Sequence, residues 1–169
     1  MEPVQGDNRG PQRLGRSFLG WVEYDSEQAI GRMAGPANQL APATVLNSTT
    51  EYTGGIDSAI DADGKATVLY DQEHISGRRD VFLRQMRPDG TAIGAGHQLV
   101  SDGVESAYLN DDGENLRQVA VSSDGFATVG YSQTQPGCCR SETLLRTVTP
   151  EGTPGPVQQL SPVKKPKRK

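Results

Sequence analysis

Short apolar runs and polar, glycine-centred turns alternate along this chain, and they recur in the same order. DADGKATVLY (61–70) returns as SSDGFATVGY (122–131), and PDGTAIGAGHQLVS (88–101) is answered by PEGTPGPVQQLSP (150–162). Such a period, filled with short β-type runs, describes a stacked or radial all-β array rather than an active site. The clearest copy predicts strands at Ser58–Asp61, Ala66–Asp71, Asp80–Arg87 and Gly96–Ser101. Asp63-Gly64 predicts a two-residue hairpin between the first two, because both central positions reach positive φ cheaply. Pro88-Asp89-Gly90 predicts the turn between the last two.

The later copy predicts the same order at Gln118–Ser122, Ala127–Ser132, Glu142–Thr149 and Gln158–Ser161, with Asp124-Gly125 at its first turn. An earlier, degenerate copy is visible once these two are aligned. FLGW (18–21) matches TVLY and TVGY, and Ile30-Gly31-Arg32 matches Phe82-Leu83-Arg84 and Leu144-Leu145-Arg146. Pro36 falls with Pro88 and Pro150. Its first strand has no clear counterpart; Gln12–Gly15 is the candidate. The predicted fold class is therefore all-β, with three four-stranded antiparallel meander repeats in a β-propeller-like array that is incomplete or open. The predicted bounds are 13–49, 55–101 and 118–162 for the units, with a disordered leader over 1–12 and a disordered basic tail over 163–169.

Two repeated positions carry physical meaning. Trp21, Tyr70 and Tyr131 end the second strand of each unit, where an amphipathic ring fills the gap between neighbouring units and its polar atom reaches an edge. Arg32, Arg84 and Arg146 follow Ile30, Phe82 and Leu144 by two residues, so each shares a strand face with an apolar side chain. A structural reading packs the Arg stem and satisfies its guanidinium on a carboxylate or carbonyls of the next unit. A functional reading makes the three a ring of anion ligands. Repetition in every unit favours the structural role.

Composition narrows the class without naming a function. Apolar residues make up 34% of the 169, and 20 Gly and 11 Pro are spread through the chain, which suits many short strands. No apolar run approaches the roughly 20 residues of a membrane span. The N-terminal stretch MEPVQGDNRGPQRLGRS lacks the apolar core of a signal peptide. The tail KKPKRK carries five positive charges, which leaves the body with 12 basic against 21 acidic residues, net −9. An acidic body disfavours nucleic acid on the folded surface. The tail reads as a solvated end; a nuclear-localisation signal or a polybasic tether are its other readings.

Candidate chemistry is sparse. His74 and His97 lack a ligand-spaced partner, and no G-x-S-x-G, H-E-x-x-H or phosphate loop occurs. Asp111, Asp112, Glu114 and Asn115 in LNDDGEN are the weak candidates for a calcium site, since hard oxygen ligands at that density suit Ca²⁺. Asp61-x-Asp63-Gly64 is explained by turn chemistry. No other cofactor is expected. Cys138-Cys139 sit side by side in the loop PGCCR. They form a vicinal disulfide, stay as free thiols, or pair with another chain.

The order S/A-x-D-G, A-T-V-x-Y, loop, V-F-L-R-x-M, P-D-G-T and Q-L resembles the repeats of bacterial secreted β-propeller-like proteins over about residues 13–162. The resemblance implies a non-enzymatic extracellular or cell-surface module, binding a protein, glycan or surface polymer. Its contacts would come from QEHISGRR (72–79), the 102–117 connection and QTQPGCCR (133–140). The alternatives are a fragment of a propeller enzyme of hydrolase or lactonase type, a remnant without independent function, and, for location, the cytoplasm. Propellers close with about 4–8 blades and this chain offers three, so self-association to complete the ring is expected as well.

Overall fold

A computed structural model describes residues 15–23, 26–47, 52–100, 106–108, 118–134 and 141–160. Among them every extended element is a β-strand, and the single helical element is a 3₁₀ turn at Pro36–Asn38. β1 (Ser17–Glu23), β2 (Gln28–Ala34) and β3 (Thr44–Val45) form the first sheet. β4 (Tyr52–Ile60), β5 (Ala66–Glu73), β6 (Arg79–Met86) and β7 (Ala92–Gln98) form the second in simple meander order. The third contains β8 (Ser106–Tyr108), β9 (Val119–Val121), β10 (Ala127–Thr134), β11 (Ser141–Val148) and β12 (Gln158–Gln159). Here β8 and β9 both pair antiparallel with β10, so five strands occupy four positions.

The three sheets share one register. Trp21 lies opposite Ile30, Tyr70 opposite Phe82 and Tyr131 opposite Leu144. Arg32, Arg84 and Arg146 lie opposite Leu19, Val68 and Val129. A one-residue slip would turn every apolar side chain to the wrong face.

The same turn closes five hairpins. Gly64 N–H donates to Asp61 O while Asp61 N–H donates to Lys65 O, and the pattern repeats at His74–Arg78, Arg87–Thr91, Ser122–Phe126 and Thr149–Thr153. Each loop has three residues and ends on a glycine at positive φ: Gly64, Gly77, Gly90, Gly125 and Gly152. This corrects the two-residue hairpin expected at Asp63-Gly64. Positive φ falls on the glycine alone and Asp63 keeps negative φ, as in a type I turn followed by a left-handed residue. The Asp side chains serve the backbone here: Asp61 Oδ1 accepts from the N–H groups of Asp63 (3.0 Å) and Lys65 (2.8 Å).

The second sheet lies between the other two. Phe18, Ala29, Met33 and Leu46 of the first sheet unit pack with Ala66, Val68, Tyr70 and Met86. On the opposite face, Leu69, Val81, Leu83 and Leu99 pack with Val119, Val129, Tyr131, Leu144 and Val148. β5 is therefore buried on both faces, which explains why ATVLY reads as a continuous apolar run.

Three strands depart most from expectation, and the first is β7, which runs over Ala92–Gln98 rather than Gly96–Ser101 because it starts directly after the turn at 87–91. β4 starts at Tyr52, six residues before the predicted Ser58, because the strand continues through a bulge at Gly54-Gly55. Thr53 pairs with Gln72 and Ile56 with Tyr70, so two glycines oppose Asp71. In the third sheet the first strand begins at Ser106 rather than Gln118. Between the pairs made by Gln72 and Val68, β4 spends four residues (54–57). Between the equivalent Gln133 and Val129, the third sheet spends eleven (108–118). The bulge of one unit has become an insertion in the next. Among the described residues the first sheet shows three strands where four were expected. Residues 12–14 of the candidate Gln12–Gly15, the leader and the tail lie outside the described residues.

Candidate functional site

Chain direction sorts the loops to two ends of the stack. One end carries the five-residue turns at 61–65, 87–91, 122–126 and 149–153. The other carries the β1–β2, β5–β6 and β10–β11 loops, with the connections that enter β4 and β8. Of the three segments expected to contact a ligand, 72–79 belongs to this second end, and 102–117 and 133–140 lie mostly outside the described residues. The β5–β6 loop is the one fully described there.

That loop is held by a buried carboxylate. Asp80, at the start of β6, is 3% exposed, and its Oδ2 lies 2.8 Å from His74 Nε2. Gln98 Nε2 donates to the same oxygen at 2.8 Å. Arg78 donates to Oδ1 through Nε at 3.0 Å and Nη2 at 2.9 Å, a two-pronged contact that fixes the loop's outgoing arm. Arg79 Nε donates to Glu73 Oε2 at 2.8 Å across the neck of the hairpin. Between these anchors Ile75 stands fully exposed at the tip.

Carboxylates also organise the strands beneath. Asp71 Oδ1 accepts from Gly54 N–H (2.9 Å) and Gly55 N–H (2.8 Å), so the bulge is stapled by a side chain from the neighbouring strand. A Cβ at Gly54 would collide with that oxygen, so the position requires glycine. Asp57 Oδ2 accepts from Gln118 N–H (2.6 Å) and Val119 N–H (3.0 Å), fixing the point where the insertion rejoins the sheet. Asn47 Oδ1 accepts from Ala29 N–H at 3.1 Å beside the β1–β2 loop.

The repeated aromatics and arginines lie between sheets. Tyr70 Oη donates to Leu46 O and Tyr131 Oη to Leu99 O, each at 3.0 Å. Burial pushes the Tyr70 hydroxyl up to about 12, with the nearby Arg84 charge opposing the shift. Tyr70 also stacks on Phe82, centroids 5.6 Å apart. Arg84 Nη1 donates to Val45 O at 3.1 Å and Leu46 O at 2.5 Å, carbonyls of the preceding sheet unit. Arg32 Nε instead donates within its own unit, to Ala41 O at 2.7 Å. The Nε atoms of Arg84 and Arg146 are buried without a hydrogen-bond partner.

The calcium candidates Asp111, Asp112, Glu114 and Asn115, and the Cys138-Cys139 pair, lie outside the described residues. Among the described residues no three His, Cys, Asp or Glu side chains are grouped to hold a metal ion. No described helix is long and apolar enough to cross a membrane. His97 is exposed on β7, opposite Leu83 and away from His74 in the chain.

Asp57, Asp71, Asp80 and Ile75 were not singled out by sequence reasoning. For Asp71 a signal existed: it stands two residues beyond Leu69, in phase with a buried face, where a carboxylate needs donors. Asp80 gave none, since a polar residue at a strand start reads as surface.

No protein-family model matches the chain, and no curated protein matches it.

Proposed function

We propose that the chain is a non-enzymatic binding or scaffold module on a β-propeller-like framework, with a protein partner engaged at its loop end. The observation that carries the reading is Ile75, fully exposed on a hairpin whose two arms are tied to the buried Asp80. Preorganisation lowers the entropy lost on docking, and an isoleucine at the tip suits an apolar pocket on a protein better than a glycan. The resemblance to secreted propeller-like repeats supports action at the cell surface or outside the cell.

Selection of displayed peptides on the immobilised chain, followed by titration of the enriched binders, tests this. Burial of the Ile75 side chain contributes about 1.5–3 kcal/mol, so Ile75→Asp weakens binding roughly 10- to 100-fold. His97→Ala leaves it unchanged. Binders indifferent to Ile75→Asp, or no enrichment at all, would overturn the reading.

A further inference from the structure

The outer faces of the first and third sheets resemble the two halves of an interface that the molecule already makes twice. Three leucines occupy one structural position: Leu46, Leu99 and Leu160 donate their N–H groups to Ala29 O, Val81 O and Thr143 O at 2.8, 2.8 and 2.9 Å. The first two are covered by the next sheet, whose tyrosine hydroxyl takes the leucine carbonyl. They are 1% and 0% exposed, whereas Leu160 is 54% exposed. Among the described residues, one leucine step is left without its cover.

The first sheet shows the opposite deficit. Trp21 occupies the position of Tyr70 and Tyr131, which are buried against a preceding sheet, yet it is only partly buried. Its indole N–H is a donor and nothing else, matched to a carbonyl acceptor. Leu19 occupies the position of Val68 and Val129, both 0% exposed, but is 45% exposed itself, and Val45, two strands away on β3, is 41% exposed. Arg32 stands where Arg84 reaches back to two carbonyls. This face carries the side chains that grip a preceding sheet elsewhere, and no sheet among the described residues covers it.

The open face of the third sheet matches the surfaces that are gripped elsewhere. Leu145 and Leu160 stand at the positions of Leu83 and Leu99. Thr128 and Thr147 stand at the positions of Thr67 and Gln85, which are polar and yet buried between the second and third sheets. Hydroxyls at those places are therefore compatible with a covered interface.

From this continuity we infer that two copies of the chain dock head to tail, the β1–β3 face of one on the β10–β12 face of the other. Trp21 Nε1–H then meets the Leu160 carbonyl of the second copy, Leu19 covers the Leu160 and Leu145 side chains, and Arg32 reaches the carbonyls of Gln159 and Leu160. Two copies bring six sheets together, within the roughly 4–8 that close a ring. The contact joins different patches, so it closes in a ring or continues as a chain of copies.

Light scattering coupled to size exclusion, over a range of concentrations, reads the result. The wild-type chain should run at twice its 18.1 kDa mass. Leu19→Glu and Leu160→Glu, each on an exposed side chain, should each run as monomers with unchanged far-UV circular dichroism. An equimolar mixture of the two should regain a 1:1 dimer, because one unaltered β1–β3 face then meets one unaltered β10–β12 face. Larger wild-type assemblies abolished by both variants support the same contact. A wild-type monomer at every concentration overturns the inference. So does a dimer that survives Leu160→Glu alone, which would mean like faces pairing, or a mixture that stays monomeric.

Discussion

Removing the hydroxyl from Tyr131 should cost more stability than removing it from Tyr70, although the two tyrosines are equivalent by register and both are 2% exposed. The difference lies in what each carbonyl keeps. Leu46 O accepts from Tyr70 Oη at 3.0 Å and from Arg84 Nη1 at 2.5 Å, so Tyr70→Phe leaves it with a charged donor. That loss is about 0.5–1.5 kcal/mol, the net value of one hydrogen bond. Leu99 O has the Tyr131 hydroxyl as its donor among the described residues, while the Nε of the equivalent Arg146 has no partner. Tyr131→Phe therefore strands a buried acceptor and costs about 1–3 kcal/mol. Urea unfolding followed by circular dichroism measures both. With a slope near 2 kcal/mol/M, a loss of about 2 kcal/mol moves the midpoint by about 1 M. Equal losses, or a larger loss at Tyr70, would refute the argument that the arginine substitutes for the tyrosine at one interface and not at the other.

Stability should also fall in base through Tyr70. Its pKa is raised from 10.0 in the unfolded chain to about 12 in the fold, so between those values the unfolded state has released a proton that the folded state retains. The contribution is complete below pH 10 and is lost as pH rises through 12, about 2–3 kcal/mol in all. Tyr70→Phe should flatten that part of the pH profile, and a profile unchanged by the substitution would refute the assignment. Gly77→Ala isolates the conformational demand of the repeated turn, because φ is +79° and nothing lies within 4 Å of the added carbon. A loss of about 1–2 kcal/mol in thermal or urea unfolding is expected, and a neutral result would show that this turn relaxes freely.

The repeat was legible because strand alternation, the x-x-D-G and P-x-G turns and the recurring aromatic are local properties written into neighbouring residues, although each of those strands runs two or three residues past its aromatic. Period and order therefore followed from the chain alone, as did the shared position of Trp21, Tyr70 and Tyr131. What escaped was set by partners distant in sequence. The bulge at Gly54-Gly55 depends on Asp71, which holds both N–H groups where β4 continues through the pair. Asp80 looks like surface until His74, Arg78 and Gln98 close on it. The inequality of equivalent residues was hidden in the same way. Leu46, Leu99 and Leu160 read alike along the chain, yet two are buried and one is open, because burial depends on whether another sheet follows in space. Local periodicity determines the unit; only packing decides which of its faces are closed, and so where the molecule still has a surface to offer.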